Sequence, residues 1–505
     1  MFANVRVMHD KRIRKVVIAG GGTSGWMAAA TLAKQFGATL DIALVESEDV
    51  GTIGVGEATI PPIKDFHHTL KIRDREREFM RAARATFKLG ISFEDWRGLG
   101  KNYMHVFGWA GKGNWAAGFQ HFWLRGRKLG MAGEFAEYCN ESVAAPQNRF
   151  GLKLSKGLGY AYHIDATRYA AFLRGIAEEN GVVRREGLIE QVVQDPGSGF
   201  ITGLRLQSGQ FVEGDLFIDC TGFRGLLIER TLKAGLEDFS HWLPCDRAIA
   251  VQTESGEPPH PYTRCIAREA GWQWRIPLQH RVGNGIVYSS RHWSDDEARA
   301  RLLDNVQGAT LTEPRVIRFQ AGQRRSHWLK NCVAVGLAAG FIEPLESTSI
   351  HLAQQSIVRL VQLFPGDGIR EPDIAEFNNQ MRFEIDNILD FIVLHYHVTE
   401  RTDTPFWRHC RAMEIPDSLR HRIELFRQSG RIFRNLPELF TETSWLQVML
   451  GQGLAPERYH PAADVMSEKE LGRFLDGIRG GVGKFVEQFP DHQRFIDGYC
   501  KAPMD

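Results

Sequence analysis

The sequence predicts an α/β protein whose first strands form a parallel sheet that much later segments complete. A short apolar strand at residues 16–19 runs directly into a glycine-rich turn, a helix and a second strand at residues 40–45. Two further apolar segments, 215–222 and 333–340, end in small-residue turns. We expect an additional β-sheet between these segments and a mostly helical C-terminal region.

The glycine-rich turn has the spacing of a dinucleotide-binding fingerprint. Gly20 permits the tight turn, Gly22 lets the backbone approach a pyrophosphate, and Gly25 lets the helix pack on the strand. The helix N-terminus favours an anion, and Glu46 can accept hydrogen bonds from ribose hydroxyls. The pattern predicts dinucleotide binding without separating FAD from NAD. A glycine-rich turn in an unrelated α/β domain is the alternative.

Two strand patterns place unusual side chains on defined faces. Residues 85–96 alternate, with apolar side chains on one face and Lys88 on the other, so Lys88 points to solvent or to a cavity. Such a lysine is ordinarily a solubilising edge residue. Trp272 and Trp274 share one strand face. Because two exposed indoles would be a liability, we expect them to pack in the core or to cover a ligand.

Residues 343–349, with the sequence EPLESTS, precede a predicted helix over residues 350–364. Pro344 and the Ser/Thr cluster are typical of a helix start. The backbone N–H groups of Thr348 and Ser349 would then be unsatisfied donors suited to a small anion such as halide. A plain helix cap is the alternative interpretation.

The composition is that of a soluble globular protein with a sizeable core. The chain has 505 residues, of which 43% are hydrophobic, and its 62 basic and 61 acidic residues leave a net charge of +1. This charge balance argues against a nucleic-acid partner. The length exceeds one simple domain, and we expect an α/β module with an inserted sheet at residues 1–365 and a helical region at residues 366–505.

Signals for export, membrane insertion and metal binding are not found in the sequence. The first ten residues lack the apolar core of a secretory signal, and no apolar run approaches the roughly 18 residues of a membrane span. The seven cysteines are scattered and lack CxxC spacing, which argues against a disulfide framework and a zinc site. We expect a cytoplasmic protein with no metal and no membrane partner.

The two late strands resemble those of glutathione-reductase-like and hydroxybenzoate-hydroxylase-like flavoproteins. In these proteins such strands return to the nucleotide-binding sheet, and the last one closes on the flavin ribityl region. The resemblance implies an FAD-binding Rossmann-like module of this type. Hydroxylases of the group usually have Asp after the glycine of the last strand, whereas here Gly336 is followed by Leu337. This departure argues against an NADPH-driven hydroxylase.

Four motifs together resemble the flavin-dependent halogenases of the tryptophan halogenase type. They are VGEATIP at 55–61, F-K-x-x-I-x-F-x-x-W at 87–96, WxWxIP at 272–277 and EPLEST at 343–348. A helical-domain pattern at 395–407 extends the resemblance over most of the chain, and we assign it no chemistry.

The resemblance implies a role for each matched residue. Lys88 and Glu346 are catalytic, while Trp272 and Trp274 shield the flavin from the organic substrate. The halide binds at Thr348 and Ser349, where Ser349 replaces a frequent glycine. The implied FAD contacts are Gly20, Gly22, Thr23, Ser24, Gly25, Glu46, Glu57, Ala58, Leu188, Leu337 and Ile350.

The implied substrate contacts are His105, Phe107, Ser347 and Trp445. His105 and Phe107 match the family's H-x-F that sandwiches an indole, and Trp445 supplies another aromatic wall. Tryptophan-specific members have a longer segment here, with a tyrosine pair and an acid that bind the amino acid's charged groups. In this chain residues 430–440 are short and contain no tyrosine. Because burying an unpaired zwitterion costs several kcal/mol, we expect indole or a larger indole-bearing substrate.

The implied activity is halogenation of an electron-rich arene with FADH2, oxygen and chloride or bromide. The single nucleotide fingerprint implies a separate NAD(P)H flavin reductase as the source of FADH2. Hypohalous acid then reaches Lys88, and Glu346 polarises the electrophile or stabilises the cationic arenium. A homodimer is compatible with the sequence. The alternatives are an FAD-dependent aromatic monooxygenase and a non-catalytic flavin-binding protein, which would not need Lys88 and Glu346 together.

Overall fold

A computed structural model of the protein describes residues 12–51, 56–152 and 157–503. The expectation about a secretory signal in the first ten residues lies outside these ranges. So does the first residue of the VGEATIP motif, at position 55.

The strands alternate with helices through the first two thirds of the chain. In chain order they are β1 Lys15–Ala19, β2 Asp41–Glu46, β3 Gly56–Ala58, β4 Thr86–Lys88, β5 Gly90–Gly98, β6 Lys101–Val106, β7 Ala161–Asp165, β8 Val183–Glu186, β9 Ile189–Gln194, β10 Ile201–Leu206, β11 Phe211–Glu213, β12 Leu216–Asp219, β13 Leu236–Asp238, β14 Arg247–Thr253, β15 Thr263–Arg268, β16 Gly271–Pro277, β17 Val282–Tyr288, β18 Arg315–Arg318, β19 Gly322–Arg324, β20 Trp328–Leu329, β21 Cys332–Ala334 and β22 Gly340–Phe341.

The helices are concentrated towards the C-terminus. They are α1 Thr23–Phe36, α2 Ile63–Thr69, α3 Glu76–Ala82, α4 Phe119–Lys128, α5 Asn140–Ala144, α6 Ala166–Glu179, α7 Asp295–Asp304, α8 Ser349–Gln362, α9 Glu371–His397, α10 Pro405–Ala412, α11 Asp417–Ser429, α12 Glu442–Gly451, α13 Glu468–Val486 and α14 His492–Tyr499.

The main sheet has the strand order β20-β21-β12-β1-β2-β8, and β1 pairs in parallel with both β2 and β12. Strand β12 in turn pairs in parallel with β21. The late apolar segments therefore complete the N-terminal sheet, and the predicted α/β fold is confirmed. Val16 and Ile18 are fully buried, as expected for a central parallel strand that is covered on both faces.

The additional sheet has seven strands in the order β18-β14-β17-β16-β15-β5-β6. The alternating segment 85–96, which reads as one strand, contributes to it only from Gly90 onward. Its first part, β4, pairs with β7 in a separate three-stranded sheet. The break falls at Leu89, whose N–H donates to the Pro261 carbonyl and whose carbonyl accepts from the Phe107 N–H. Leu89 thus leads the chain from the small sheet to the large one.

Helix α9 forms the centre of the C-terminal region. Near its C-terminal end, residues 388–396 are buried without interruption. Such all-round burial is typical of a helix that other elements enclose. Helices α8, α10, α11 and α12 contact it. In the part of the chain that the structure describes, no helix combines the length and apolar character needed to cross a membrane.

Candidate active site

A cavity of about 970 Å³ lies between the main sheet and the seven-stranded sheet. Its size and mixed lining suit a large cofactor with a few polar anchoring groups. All but one of the predicted FAD contacts line it; these are Gly20, Gly22, Thr23, Ser24, Glu46, Glu57, Ala58, Leu188, Leu337 and Ile350.

The three fingerprint glycines have the three environments that their predicted roles require. Gly20 has a φ of +106°, and a Cβ there would lie 2.3 Å from the Cys220 carbonyl oxygen. A Cβ on Gly25, the one predicted contact outside the cavity lining, would lie 1.9 Å from the Gly20 carbonyl oxygen. A Cβ on Gly22 would meet no atom within 4 Å. The turn is therefore closed by backbone on two sides and open towards the N-terminus of α1, where a pyrophosphate fits.

Two carboxyl groups border the same cavity. Glu46 ends β2, and its Oε1 accepts from Nε of Arg184 at 2.6 Å. Its position at the strand end suits contact with a ribose. Glu57 lies in β3, and burial raises its pKa to about 7. A carboxyl group that is close to neutral can face a flavin without placing a full charge beside it.

One wall of the cavity is built by three alternate residues of β16. Trp272, Trp274 and Ile276 all line it, and the two indole centroids lie 6.1 Å apart. Their alternation on a strand places all three side chains on one face, as predicted. On the far side of this wall, Nε1 of Trp272 donates to Oε2 of Glu343 at 2.9 Å, which fixes the indole plane.

Lys88 ends β4 and is 0% exposed, so it is not a solubilising edge residue. Its Nζ donates to the Thr59 carbonyl at 3.1 Å and to Oγ of Ser347 at 2.8 Å. Burial lowers the pKa of Lys88 to about 7, and Glu346 opposes that shift. The ring centroid of Phe107 is 5.4 Å from Nζ. The lysine therefore contacts the VGEATIP segment through Thr59 and the turn 343–349 through Ser347, and it lies beside the predicted substrate residue Phe107.

Glu346 is a buried carboxylate held between two histidines. Nδ1 of His105 hydrogen-bonds with Oε2 at 2.8 Å, and Nε2 of His395 lies 2.8 Å from Oε1 without the angle of a hydrogen bond. Burial by itself raises the pKa of Glu346, but the two histidines outweigh it and lower the pKa to about 2. Glu346 is consequently ionised at neutral pH inside the protein.

Glu343, three positions before Glu346, has a raised pKa instead of a lowered one. Its Oε2 accepts from the Trp272 indole at 2.9 Å and from the Tyr396 hydroxyl at 2.6 Å. Both donors are neutral, so burial dominates and raises the pKa of Glu343 to about 7. One short turn thus carries two buried carboxyl groups whose environments move their pKa values apart.

The turn leads directly into α8. Ser347 has a φ of 59°, Thr348 is the N-cap residue and Ser349 is the first helical residue. Because the N–H groups at a helix start have no carbonyl one turn earlier, Thr348 and Ser349 are placed to offer free donors. Oγ1 of Thr348 is buried and makes no hydrogen bond within the described chain, and Ser349 borders the cavity. These donors fit a small anion. The helix ends at Gln362, two residues before the predicted end.

An aromatic cluster adjoins His105. Phe391 stacks on Phe440 at 3.8 Å and makes an edge contact with Trp445 at 4.8 Å. The His105 ring lies 5.4 Å from Phe391. Trp445 is covered on its other side by the guanidinium of Arg422, at 4.1 Å. The structure therefore brings two of the predicted substrate residues, His105 and Trp445, to one cluster of flat side chains, whereas Phe107 and Ser347 lie beside Lys88.

Sequence reasoning missed three participants. His395 belongs to the 395–407 pattern, which indicates no chemistry, Tyr103 lies in no motif, and Thr59 contributes its backbone carbonyl. Nothing in local spacing indicates that residues 103, 346 and 395 meet. The adjacent His395 and Tyr396 in an otherwise apolar helical stretch were the one available signal, because buried polar side chains require partners.

Comparisons with known proteins agree with this geometry. A family model described as tryptophan halogenase matches residues 15–468. The solved structure of a flavin-dependent halogenase from Xanthomonas campestris superposes with a TM-score of 0.96 at 56% identity, over 98% of this chain and 100% of that one. BrvH, a flavin-dependent halogenase from Brevundimonas sp. BAL3, gives a TM-score of 0.93 at 45% identity, over 97% and 100%. Tryptophan 7-halogenase RebH from Lentzea aerocolonigenes is 35% identical, over 96% of this chain and 98% of its own.

The parallel sheet, the glycine turn and the cavity behind it define a flavin-binding α/β protein. The chain belongs to the tryptophan halogenase family. It is thus a flavin-dependent halogenase, an oxidoreductase that uses reduced flavin.

Proposed function

We propose that this enzyme halogenates an electron-rich arene, either indole or a larger indole-bearing compound, in preference to free tryptophan. The observation that carries the proposal is the contact between Lys88 and the turn that holds Glu346, through the Ser347 hydroxyl. A monooxygenase that transfers oxygen directly, or a non-catalytic flavin-binding protein, has no need for a buried lysine at this point.

The cavity residues would hold FAD along its whole length. The N-terminus of α1 would hold the pyrophosphate, Glu46 would bind the ribose, and the β16 wall would cover the flavin ring, since all three border the cavity. With oxygen, the reduced flavin supplies the oxidising equivalent that converts chloride or bromide to hypohalous acid. We further infer that a separate NAD(P)H flavin reductase supplies FADH2, and that both proteins are cytoplasmic. A homodimer remains compatible with this arrangement.

The turn residues would hold the halide. The N–H groups of Thr348 and Ser349 point from the start of α8, and the helix dipole favours negative charge there. Ser349 borders the cavity, so an anion bound at this point is next to the cofactor. A site built from backbone donors tolerates serine in place of glycine, because the side chain takes no part.

Lys88 would hold the electrophile. With a pKa of about 7, the side chain exchanges readily between ammonium and amine at neutral pH. The ammonium form donates a hydrogen bond to the oxygen of hypohalous acid, whereas the amine form gives a haloamine and water. By either route, arene and hypohalous acid yield aryl halide and water, and the lysine is regenerated.

Glu346 would stabilise the positive charge that develops on the arene. Addition of the halogen converts the ring into an arenium cation, and a preorganised buried carboxylate lowers the energy of that cation. The pKa of about 2 keeps the group ionised throughout the neutral range. The two histidines hold its oxygens in place, so no reorganisation is needed when the charge forms.

The substrate preference follows from the charges around the aromatic cluster. Arg422, which covers Trp445, is already paired with Glu438 at 2.8 Å, and Glu346 is paired with histidines. The ammonium and carboxylate of free tryptophan would therefore compete with existing pairs. The nearby segment 430–440 instead exposes Phe433 and Leu436, at 67% and 81%. These side chains favour an apolar, indole-bearing molecule.

The proposal is tested by supplying the enzyme with a flavin reductase, NADH, FAD, bromide and a panel of indoles. Mass spectrometry should detect brominated products by their isotope pattern, and only when bromide is present. A parallel reaction without bromide is the control. Hydroxylated products in that control would identify a monooxygenase, and a complete lack of products with intact flavin turnover would support a non-catalytic role.

A further inference from the structure

Helix α9 binds both carboxyl groups of the turn 343–346 through two successive residues. Nε2 of His395 lies 2.8 Å from Oε1 of Glu346, and the hydroxyl of Tyr396 donates to Oε2 of Glu343 at 2.6 Å. All four side chains are buried. Because α9 belongs to the helical C-terminal region, that region and His105 of β6 together surround the Glu346 carboxylate.

His395 is itself fixed on every side. The Tyr103 hydroxyl lies 2.8 Å from its Nδ1, and the Phe93 ring stacks on it at 4.4 Å. The Gln452 amide donates to the His395 carbonyl at 2.7 Å. When Tyr103 donates to Nδ1, the proton of the neutral imidazole is on Nε2, where it faces Glu346. Tyr103 thus selects the tautomer that a carboxylate requires.

We propose that His395 is a positioning residue that keeps the Glu346 carboxylate oriented and ionised for halogenation, and that Tyr103 holds His395 in the tautomer needed for this. The inference rests on the proposed function of Glu346. His395 and Tyr103 would thus support the reaction by orienting Glu346, although neither side chain borders the cavity.

The groups around Glu346 decide what the loss of His395 would do. They are Lys88 from β4, Tyr103 and His105 from β6, Cys265 from β15 and His395 from α9. Burial favours the protonated carboxyl, and the two histidines oppose it. With His105 as the single remaining histidine, the pKa of Glu346 rises. The acidic limb of the activity profile should therefore move to higher pH.

Tyr396→Phe provides a matched control on the same helix. It removes one hydrogen bond to the same turn at similar burial, but from Glu343. The contacts of Glu346 with its two histidines are unchanged by this substitution. If α9 merely packs against the turn, His395→Ala and Tyr396→Phe should affect the pH profile alike. If His395 acts on Glu346, the acidic limb moves only in the His395 variant.

The first measurement is kcat against pH for bromination of indole, with FADH2 supplied in excess. We expect kcat to fall about 10- to 100-fold in His395→Ala, the usual range when a buried charge loses a close polar partner. His395→Gln should recover part of this loss, because its amide can still donate towards Oε1. Tyr103→Phe should give a smaller shift in the same direction. Wild-type kcat and pH profile in folded His395→Ala would overturn the proposal.

The second measurement needs no substrate and keeps the two proposals separable. Infrared spectra at mildly acidic pH should show a protonated-carboxyl band of Glu346 in His395→Ala that is absent from wild type and from Tyr396→Phe, in which only the band of Glu343 should shift. The band should disappear when Glu346→Gln is added, which assigns it. If His395→Ala does not fold, His395→Gln and Tyr103→Phe are compared in the same way. No new band in any of these variants contradicts the inference, whereas the band without any halogenation by wild type contradicts the proposed function alone.

Discussion

Nζ of Lys88 lies 2.8 Å from Oγ of Ser347, although 259 positions separate the two residues. Lys88 ends a short strand in the N-terminal part of the chain, and Ser347 lies in the left-handed turn before α8. Since Glu346 and Thr348 flank Ser347, this one bond ties the lysine to both the carboxylate and the start of the candidate halide site. This contact is the basis for the effects expected of substitutions at Lys88 and at Glu346.

Lys88→Ala should abolish halogenation while flavin reoxidation and peroxide release continue. The lysine acts after the halide has been oxidised, so the cofactor reaction does not depend on it. Product formation and oxygen consumption, measured in the same reaction, check this. Lys484→Ala, at an exposed site on α13, is the control and should behave as wild type. Near-normal halogenation by Lys88→Ala would show that the electrophile is delivered in another way.

Glu346→Gln should lower turnover by roughly two or more orders of magnitude, as is typical when a preorganised electrostatic group is removed. Glutamine retains the shape and can still contact both histidines, so the fold should be preserved. The FAD dissociation constant should stay close to wild type, because Glu346 does not border the cavity. A loss of FAD affinity equal to the loss of kcat would instead point to a structural role.

Lys88→Met should stabilise the protein at neutral pH. The lysine pKa of about 7 in the fold, against 10.5 when exposed, means that the unfolded chain binds more protons between these values. The resulting penalty is full below pH 7, shrinks as the pH rises, and vanishes above the unfolded pKa. After allowing for two lost hydrogen bonds, we expect a net gain of about 1–3 kcal/mol at neutral pH.

Thermal unfolding of both proteins at neutral pH and at about pH 10 tests whether Lys88→Met is stabilising and whether this effect depends on pH as expected. The advantage of Lys88→Met over wild type should decrease or reverse at the higher pH, whereas Lys484→Met should show no such trend. A constant difference at both values would mean that Lys88 stays protonated in the folded protein. Stabilisation together with lost activity would mark Lys88 as a residue retained for chemistry at a cost in stability.

The purified protein alone should oxidise NADH at a negligible rate. The described fold has one glycine fingerprint at the start of α1, and the predicted flavin contacts line the cavity behind it. Stopped-flow spectra of the FAD-loaded protein mixed with NADH should show no rapid bleaching of the flavin. Adding a flavin reductase should cause the flavin to bleach. Rapid bleaching without a reductase would show that NADH binds and reduces the flavin directly.

Local patterns predicted those parts of the molecule whose structure is set by short-range spacing. The glycine environments, the common face of Trp272 and Trp274, and the start of α8 all follow from a few consecutive residues. The break at Leu89 did not, because it depends on a backbone partner at Pro261. The His395 contact with Glu346 joins α9 to a distant turn, and no periodicity encodes such a pairing. Tertiary contacts therefore supplied the electrostatics of the site.

Indole should be a better substrate than L-tryptophan, as measured by kcat/KM with one reductase system. Both molecules offer the same ring to His105, Phe107 and Trp445, so the difference isolates the amino-acid group. The cation nearest to Trp445, Arg422, is already paired with Glu438, and we expect that breaking this pair to bind the amino-acid group would bring no net gain. Tryptamine and indole-3-propionate, which carry one charge each, should fall between the two. A clear preference for L-tryptophan would show that its charges are bound elsewhere, and Arg422→Gln would then reveal whether the pair with Glu438 is what opens to receive them.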